Sequence, residues 1–235
     1  MYLLSLICIQ EKTGMKQNKT EPAMTVIGIT GGVGSGKSRV LEELCSSFGA
    51  VVCQADEVAK ELQKKGGRCY DEMIHLFGTG ILGKNEEMDR KKLAEIVFSD
   101  PEKLRQLNAI VHPEVKQAVI TKIRQEKERG SRLFVIEAAL LLEDHYDEIC
   151  DELWYIYTKE SVRRARLKES RDYSDEKIDA IMKNQMNEEV FFKRCRRVID
   201  NSGSFEDTKK QLAEILQDFG NTGKLSSVYE ESQEK

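Results

Sequence analysis

Residues 26–38 read Val26-Ile27-Gly28-Ile29-Thr30-Gly31-Gly32-Val33-Gly34-Ser35-Gly36-Lys37-Ser38. The first five form a short β-branched run, the pattern of a buried strand. The last eight satisfy the phosphate-binding pattern G-x-x-x-x-G-K-[ST]. Downstream, Val40, Leu41, Leu44 and Phe48 fall at helical spacing and stop at Gly49, a natural residue just past a helix end. Strand, glycine-rich turn and helix in that order set a ring of backbone N–H groups at a helix N-terminus, where a polyphosphate is cradled. Gly32, Val33, Gly34, Ser35 and Gly36 supply the ring, and Arg39, directly after Ser38, is a further candidate ATP contact. Lys37 reaches for the β- and γ-phosphates, and the Ser38 hydroxyl holds Mg²⁺. With average residue frequencies the octet arises by chance in roughly one chain of this length in a hundred. The flanking strand and helix make an accident rarer still.

The rest of the chain bounds the reading. Its 235 residues suit one domain with a modest insertion. A net charge of −4 argues against a general nucleic-acid or membrane-surface binder. No apolar stretch approaches the ~20 residues of a membrane span. The opening Met1-Tyr2-Leu3-Leu4-Ser5-Leu6-Ile7-Cys8-Ile9 lacks a basic flank and a small-residue cleavage site, so it does not read as a signal peptide. Residues 1–23 read instead as a leader, disordered or derived from an upstream start codon, because Met24 directly precedes the first strand. Six scattered cysteines without C-x-x-C pairs suit free thiols in a reducing cytosol, and a cytoplasmic protein.

Between residues 24 and 220 strands and helices alternate, which predicts a parallel, three-layer α/β sheet. Five strands are expected, at Val26–Thr30, Ala50–Cys53, Leu133–Ile136, Leu153–Tyr157 and Val198–Ile199. Helices are expected at 38–48, 57–64, 90–98, 101–111, 114–129, 159–169, 175–186 and 205–219. The break between the fourth and fifth falls at His112-Pro113. Asp100, Thr158, Ser174 and Ser204 are the expected N-caps, and Gly130 and Gly220 the expected terminating glycines. Residues of about 65–130 hold helical segments and no good strand, a helical excursion between strands two and three. Residues 221–235 read as a polar tail.

Ligands of such sheets lie beyond the carboxyl ends of the strands. Strand two delivers Asp56 there, although Asp56 also suits an N-cap of the following helix. Strand three ends in Glu137, where phosphate-binding-loop proteins carry a metal-orienting carboxylate. The run Arg163-Arg164-Ala165-Arg166-Leu167-Lys168-Glu169-Ser170-Arg171 spreads positive charge over more than one helix face. Arg164, Arg166 and Arg171 are candidates for neutralising a migrating phosphoryl group, while Arg163 and Lys168 suit a solvated face. The last strand runs into Asp200-Asn201-Ser202-Gly203, where Asn201 is a candidate nucleotide contact and a plain turn the default.

From Met24 to about Gly220 the chain resembles the dephospho-coenzyme A kinases, the last enzymes of coenzyme A synthesis. The resemblance rests on Ile27–Ser38, Ala55-Asp56, Leu107-Asn108-Ala109-Ile110-Val111-His112-Pro113, Leu140-Leu141-Leu142-Glu143, Arg171-Asp172, Asn184-Gln185 and Ile199-Asp200-Asn201-Ser202-Gly203, in the family's order. It departs from the family where Gln54 replaces the first acid of Asp-Ala-Asp, Ala139 replaces a proline, Glu137 replaces an aspartate and Arg39 replaces a common threonine. The resemblance implies a P-loop kinase fold with a helical acceptor-binding insertion and a helical lid at about 159–187. It implies transfer of the ATP γ-phosphoryl group, with Mg²⁺, to the ribose 3′-hydroxyl of 3′-dephospho-coenzyme A. Asp56 is then the base, Ser38 and Glu137 (through water) serve the metal, and Arg90, His112, Leu140 and Glu143 join Asp56 around the acceptor. Monomer and weak oligomer stay equally open. Two other readings stay open on the residues alone: a kinase of another nucleoside or nucleotide, and a P-loop ATPase switch. A GTPase is disfavoured because no Asn-Lys-x-Asp element is present.

Overall fold

The computed structural model describes residues 24–222. The leader and most of the polar tail read from the sequence lie outside them. Five strands form one parallel sheet: β1 (Thr25–Thr30), β2 (Val51–Gln54), β3 (Leu133–Glu137), β4 (Glu152–Tyr157) and β5 (Arg197–Asp200), in the spatial order β2-β3-β1-β4-β5. The α-helices are α1 (Lys37–Phe48), α2 (Ala55–Leu62), α3 (Tyr70–Phe77), α4 (Arg90–Ser99), α5 (Pro101–Glu128), α6 (Glu160–Arg171), α7 (Asp175–Lys183), α8 (Glu188–Arg194) and α9 (Phe205–Thr222). All five expected strands are present, each within one residue of its predicted start and end.

Side-chain alternation divides the core into two layers. Ile27, Ile29, Val135, Trp154 and Ile156 face one way and pack with Val40, Leu41 and Leu44 of α1 and Leu212 of α9. Val26, Phe134, Ile136, Leu153 and Tyr155 face the other way, toward Val58 of α2, Met73 of α3 and Val111, Val115 and Val119 of α5. With both faces covered, the strands read as continuous apolar runs. The register sets Ile29 and Gln54 on either side of Glu137, so β1, β2 and β3 end together.

Several local expectations are corrected. His112-Pro113 does not break a helix: α5 runs from Pro101 to Glu128 with Pro113 inside it. Val111, Val115 and Val119 recur every fourth residue on its buried face. Their burial against α2 and α3 outweighs the one backbone hydrogen bond that proline removes. Asp56 is not an N-cap, since the cap of α2 is Gln54 and Asp56 sits in the first turn. Thr158 is not a cap either; it is buried, and Lys159 takes the cap position of α6. Gly220 lies inside α9, which continues to Thr222. Asp100 and Ser174 do cap, accepting from backbone N–H groups of α5 and α7. Ser204 accepts from the Asp207 N–H at the start of α9, and Gly130 follows α5 with φ 78°.

Candidate active site

Gly36, in the left-handed conformation at φ 82°, turns the loop after β1 into α1. The loop is fastened through alternate carbonyls. Lys37 Nζ donates to Gly31 O at 2.6 Å, and Arg163 Nε donates to Val33 O at 3.0 Å. Ser35 O accepts from Asn201 Nδ2 at 2.7 Å, Thr158 Oγ1 at 3.0 Å and Arg166 Nη1 at 3.4 Å. The fit is close enough that a Cβ at Gly31, Gly32 or Gly36 would force its neighbours to shift. A Cβ on Gly32 would lie 2.3 Å from Arg163 Nη2, and one on Gly36 would lie 2.5 Å from Asn201 Nδ2.

The loop opens onto a cleft of about 520 Å³ lined by Gly32 to Arg39, Glu137, Arg166, Arg171, Asn201 and Phe205. Arg39 stacks its guanidinium 3.9 Å over the Phe205 ring at one end of the cleft. Burial holds the Lys37 ammonium below the usual lysine range; Glu137 and Asp56 oppose this, and Arg163 and Arg171 reinforce it. Burial raises the Glu137 carboxyl above the usual range, while Lys37 draws it down and the Asp56 charge pushes it further up. Lys37, Glu137 and Asp56 therefore share one electrostatic neighbourhood at the strand ends.

A second cavity, of about 160 Å³, opens beside Asp56. Its walls come from Ala55, Asp56 and Ala59 of α2, Val111, His112 and Val115 of α5, Ala138 to Leu140 after β3, and then Asp144 and Tyr146. His112 Nδ1 lies 2.8 Å from Asp144 Oδ1. Burial pushes the Tyr146 phenol up to about 12, so it stays a neutral hydroxyl at ordinary pH.

Most of the expected site residues converge on these two openings, and five residues do not behave as the sequence suggests. Arg164 turns away from the cleft and pairs with Glu160 at 2.7 Å, with Asp175 at 3.8 Å and with Asp179. It is held within the α6–α7 pair, so the charge it carries is spent there. Arg163, expected on a solvated face, is 6 % exposed and lies under the loop, bonded to Val33, Gln185 and Glu188. Arg90 is exposed at the first turn of α4 and Glu143 is exposed in the turn after β3; neither lines this second cavity. Asp144, one residue further, takes the place by His112. Asn201 lines the cleft, but its carboxamide is bonded on both sides: Nδ2 to Ser35 O and Oδ1 from Thr208 Oγ1 at 2.9 Å.

Sequence reasoning missed Arg163, Thr158, Asp144 and Tyr146. Helical spacing carried a signal for Arg163, which shares a face of α6 with the buried Leu167. Nothing in the sequence marked the other three.

Phosphate-binding loop, sheet order and a cleft flanked by arginines of α6 define a P-loop kinase fold. The chain belongs to the dephospho-CoA kinase family, whose model matches residues 25–207. It is 38 % identical over 200 residues to the dephospho-CoA kinase of Bacillus licheniformis, covering 85 % of this chain and 98 % of that one. It is also 38 % identical to that of Carboxydothermus hydrogenoformans, covering 83 % and 94 %. Among solved structures, a Thermus thermophilus protein superposes with a TM-score of 0.70 at 32 % identity, covering 83 % of this chain and 98 % of the other. The Campylobacter jejuni dephospho-CoA kinase shares the fold at a TM-score of 0.59 and 23 % identity, covering 83 % of this chain and 97 % of that one. Among the described residues, no helix is long and apolar enough to cross a membrane.

Proposed function

We propose that the protein transfers the γ-phosphoryl group of ATP to the ribose 3′-hydroxyl of 3′-dephospho-coenzyme A. The observation that carries this reading is the position of Asp56. Its carboxylate lines the acceptor-side cavity while its charge is felt at Lys37 and Glu137 on the phosphate side. A group between the two openings is where a hydroxyl must lose its proton as it attacks phosphorus.

A ribose hydroxyl is a poor nucleophile at neutral pH. Asp56 accepts its proton as the new O–P bond forms and the bond from the γ-phosphorus to the bridging oxygen breaks, releasing ADP. Lys37 leaves Gly31 O to meet the β- and γ-phosphates. Arg166 and Arg171, both in the cleft, balance charge on the migrating group. Arg166 is anchored by Ser35 O and by Asn201 O at 2.9 Å, whereas Arg171 sits at the free end of α6. Residues of about 159–187 serve as a lid that excludes water and suppresses hydrolysis of ATP.

The donors present fit Mg²⁺. Among the described residues no cluster of three His, Cys, Asp or Glu side chains is built to cage a metal. Mg²⁺ would instead take one or two protein oxygens alongside substrate phosphates and water, and Ser38 and Glu137, both lining the cleft, would supply them. When bound, the ion supplies charge neutralisation across the β- and γ-phosphates.

The test is ADP release with Mg·ATP and 3′-dephospho-coenzyme A, against adenosine, AMP, CMP and no acceptor. Turnover with dephospho-coenzyme A alone, reduced about 10²- to 10⁴-fold in Asp56→Asn, is the expected result. Turnover with a different acceptor, or hydrolysis independent of any acceptor, would sink it.

A further inference from the structure

Arg163 is a buried cation that the reaction described above does not use. Arg166 and Arg171 of the same helix line the cleft, whereas Arg163 lies beneath the loop and is 6 % exposed. A guanidinium taken out of water needs a compensating charge close by. Its bonds supply little of one. Nε donates to Val33 O at 3.0 Å and Nη2 donates to Gln185 Oε1, and both acceptors are uncharged. The carboxylate bonded to it, Glu188 Oε1, accepts from Nη1 at the long distance of 3.4 Å. Glu188 is itself 43 % exposed, so solvent screens it, and it also meets the Tyr155 hydroxyl. The charge on Arg163 is therefore only partly balanced within the protein.

Its position decides where the unbalanced part acts. A Cβ on Gly32 would meet Arg163 Nη2 at 2.3 Å and Gln185 Oε1 at 2.8 Å, so the guanidinium lies directly against the loop backbone. Gly32, Val33 and Gly34 themselves line the cleft. At Gly32 no side chain stands between the cation and an anion in the cleft. Through Val33 O the guanidinium also polarises the Val33–Gly34 peptide, which makes the Gly34 N–H a stronger donor. A charge held in the interior attracts a nearby anion more strongly than the same charge in water.

We propose that Arg163 is a positioning residue for the donor polyphosphate, supplying from beneath the loop a fixed positive charge that makes affinity rise with the number of phosphates. It acts through the Val33–Gly34 peptide and touches no reacting atom. The inference rests on the reading of the cleft as the ATP site.

Calorimetric titration of ATP, ADP and AMP in EDTA, where each nucleotide carries its own full charge, tests it on three variants. Arg163→Gln should weaken ATP about 10-fold, ADP about 3-fold and AMP less than about 2-fold, since a charge-assisted bond is lost in proportion to the phosphates it serves. Arg163→Lys keeps the charge but cannot repeat the three bonds of the fork, and should hold ATP within about 3-fold of the parent. A residue that only braced the loop would give the opposite pattern, with lysine as poor as glutamine and all three nucleotides weakened alike. That pattern overturns the proposal. Glu188→Gln removes the one bonded carboxylate at a part-exposed position, so it decides the matter even where Arg163→Gln fails to fold. Unmasking the cation should tighten ATP about 2- to 3-fold, the worth of a screened ion pair. Unchanged or weaker ATP binding in Glu188→Gln overturns the proposal. Failure of the underlying reading looks different: the parent itself would then bind ATP and ADP no better than AMP.

Discussion

Asn201→Ala tests whether Asn201 braces the loop or reads the nucleotide. The side chain is 3 % exposed and bonded at both ends, to Ser35 O at 2.7 Å and from Thr208 Oγ1 at 2.9 Å. Truncation removes two hydrogen bonds, each about 1 kcal/mol net. It also strands the fully buried Thr208 hydroxyl, which costs about 1–2 kcal/mol more. Ser35 O keeps Thr158 and Arg166, so no further penalty arises there. The expected loss is about 3–4 kcal/mol, or roughly 6–16 °C in melting temperature for a domain of this size. Thermal and urea unfolding measure it, with ATP affinity measured in parallel. Thr208→Val in the Asn201→Ala background should recover about 1 kcal/mol, because it removes the stranded hydroxyl. A variant that melts within 1 °C of the parent yet binds ATP tenfold more weakly would refute the brace.

Three further outcomes are expected. Lys37 binds phosphate only as an ammonium, and its proton affinity is lowered by burial in the free protein. The alkaline limb of kcat/KM for ATP should therefore fall below the ordinary lysine range, while that of kcat, set by the phosphate-bound state, should fall at higher pH. Arg164→Ala should change kcat less than threefold, whereas Arg171→Ala should lower it tenfold or more with ATP affinity nearly intact. Steady-state kinetics on the two variants decide whether facing the cleft is what matters. Glu137, raised in the folded state, favours folding when protonated and disfavours it when ionised. Its contribution is fully present below the ordinary glutamate value and lost as pH rises through the raised one. Glu137→Gln should be more stable than the parent at pH 8, with the difference closing toward pH 4 in urea melts.

The pattern of legibility follows from how far each feature reaches along the chain. The loop, its flanking strand and its helix are local, carried by glycines, β-branched residues and apolar spacing within 25 positions. The strands were equally plain because a doubly covered parallel sheet needs unbroken apolar runs. Helices α3 and α8 escaped because each is a short segment, Tyr70–Phe77 and Glu188–Arg194, held by tertiary packing more than by its own periodicity. Tyr155 stacks on Phe191 of α8 at 5.0 Å, a contact across 36 positions that no local pattern announces. Pro113 misled for a related reason, since its own rule ends a helix and the buried valine face of α5 overrides it. At the site, the motif residues were legible by type. Which arginine turns inward, and whether Glu143 or Asp144 meets His112, depends on the angle of one helix and one turn.

The ties to Gly31, Val33 and Ser35 have a consequence for the opposite side of the loop. In a trans peptide unit the C=O and the following N–H point in opposite directions, and the described residues contain no cis bond. Each donor that grips one of these carbonyls therefore also aims the next amide, at Gly32, Gly34 or Gly36, away from itself. Arg163, Thr158 and Asn201 act as set screws on two of these peptide planes, Val33–Gly34 and Ser35–Gly36, while Lys37 holds the third only until it turns to the phosphates. Through them, residues as distant in sequence as Arg163 and Asn201 fix the directions in which the loop can offer its N–H groups to an anion.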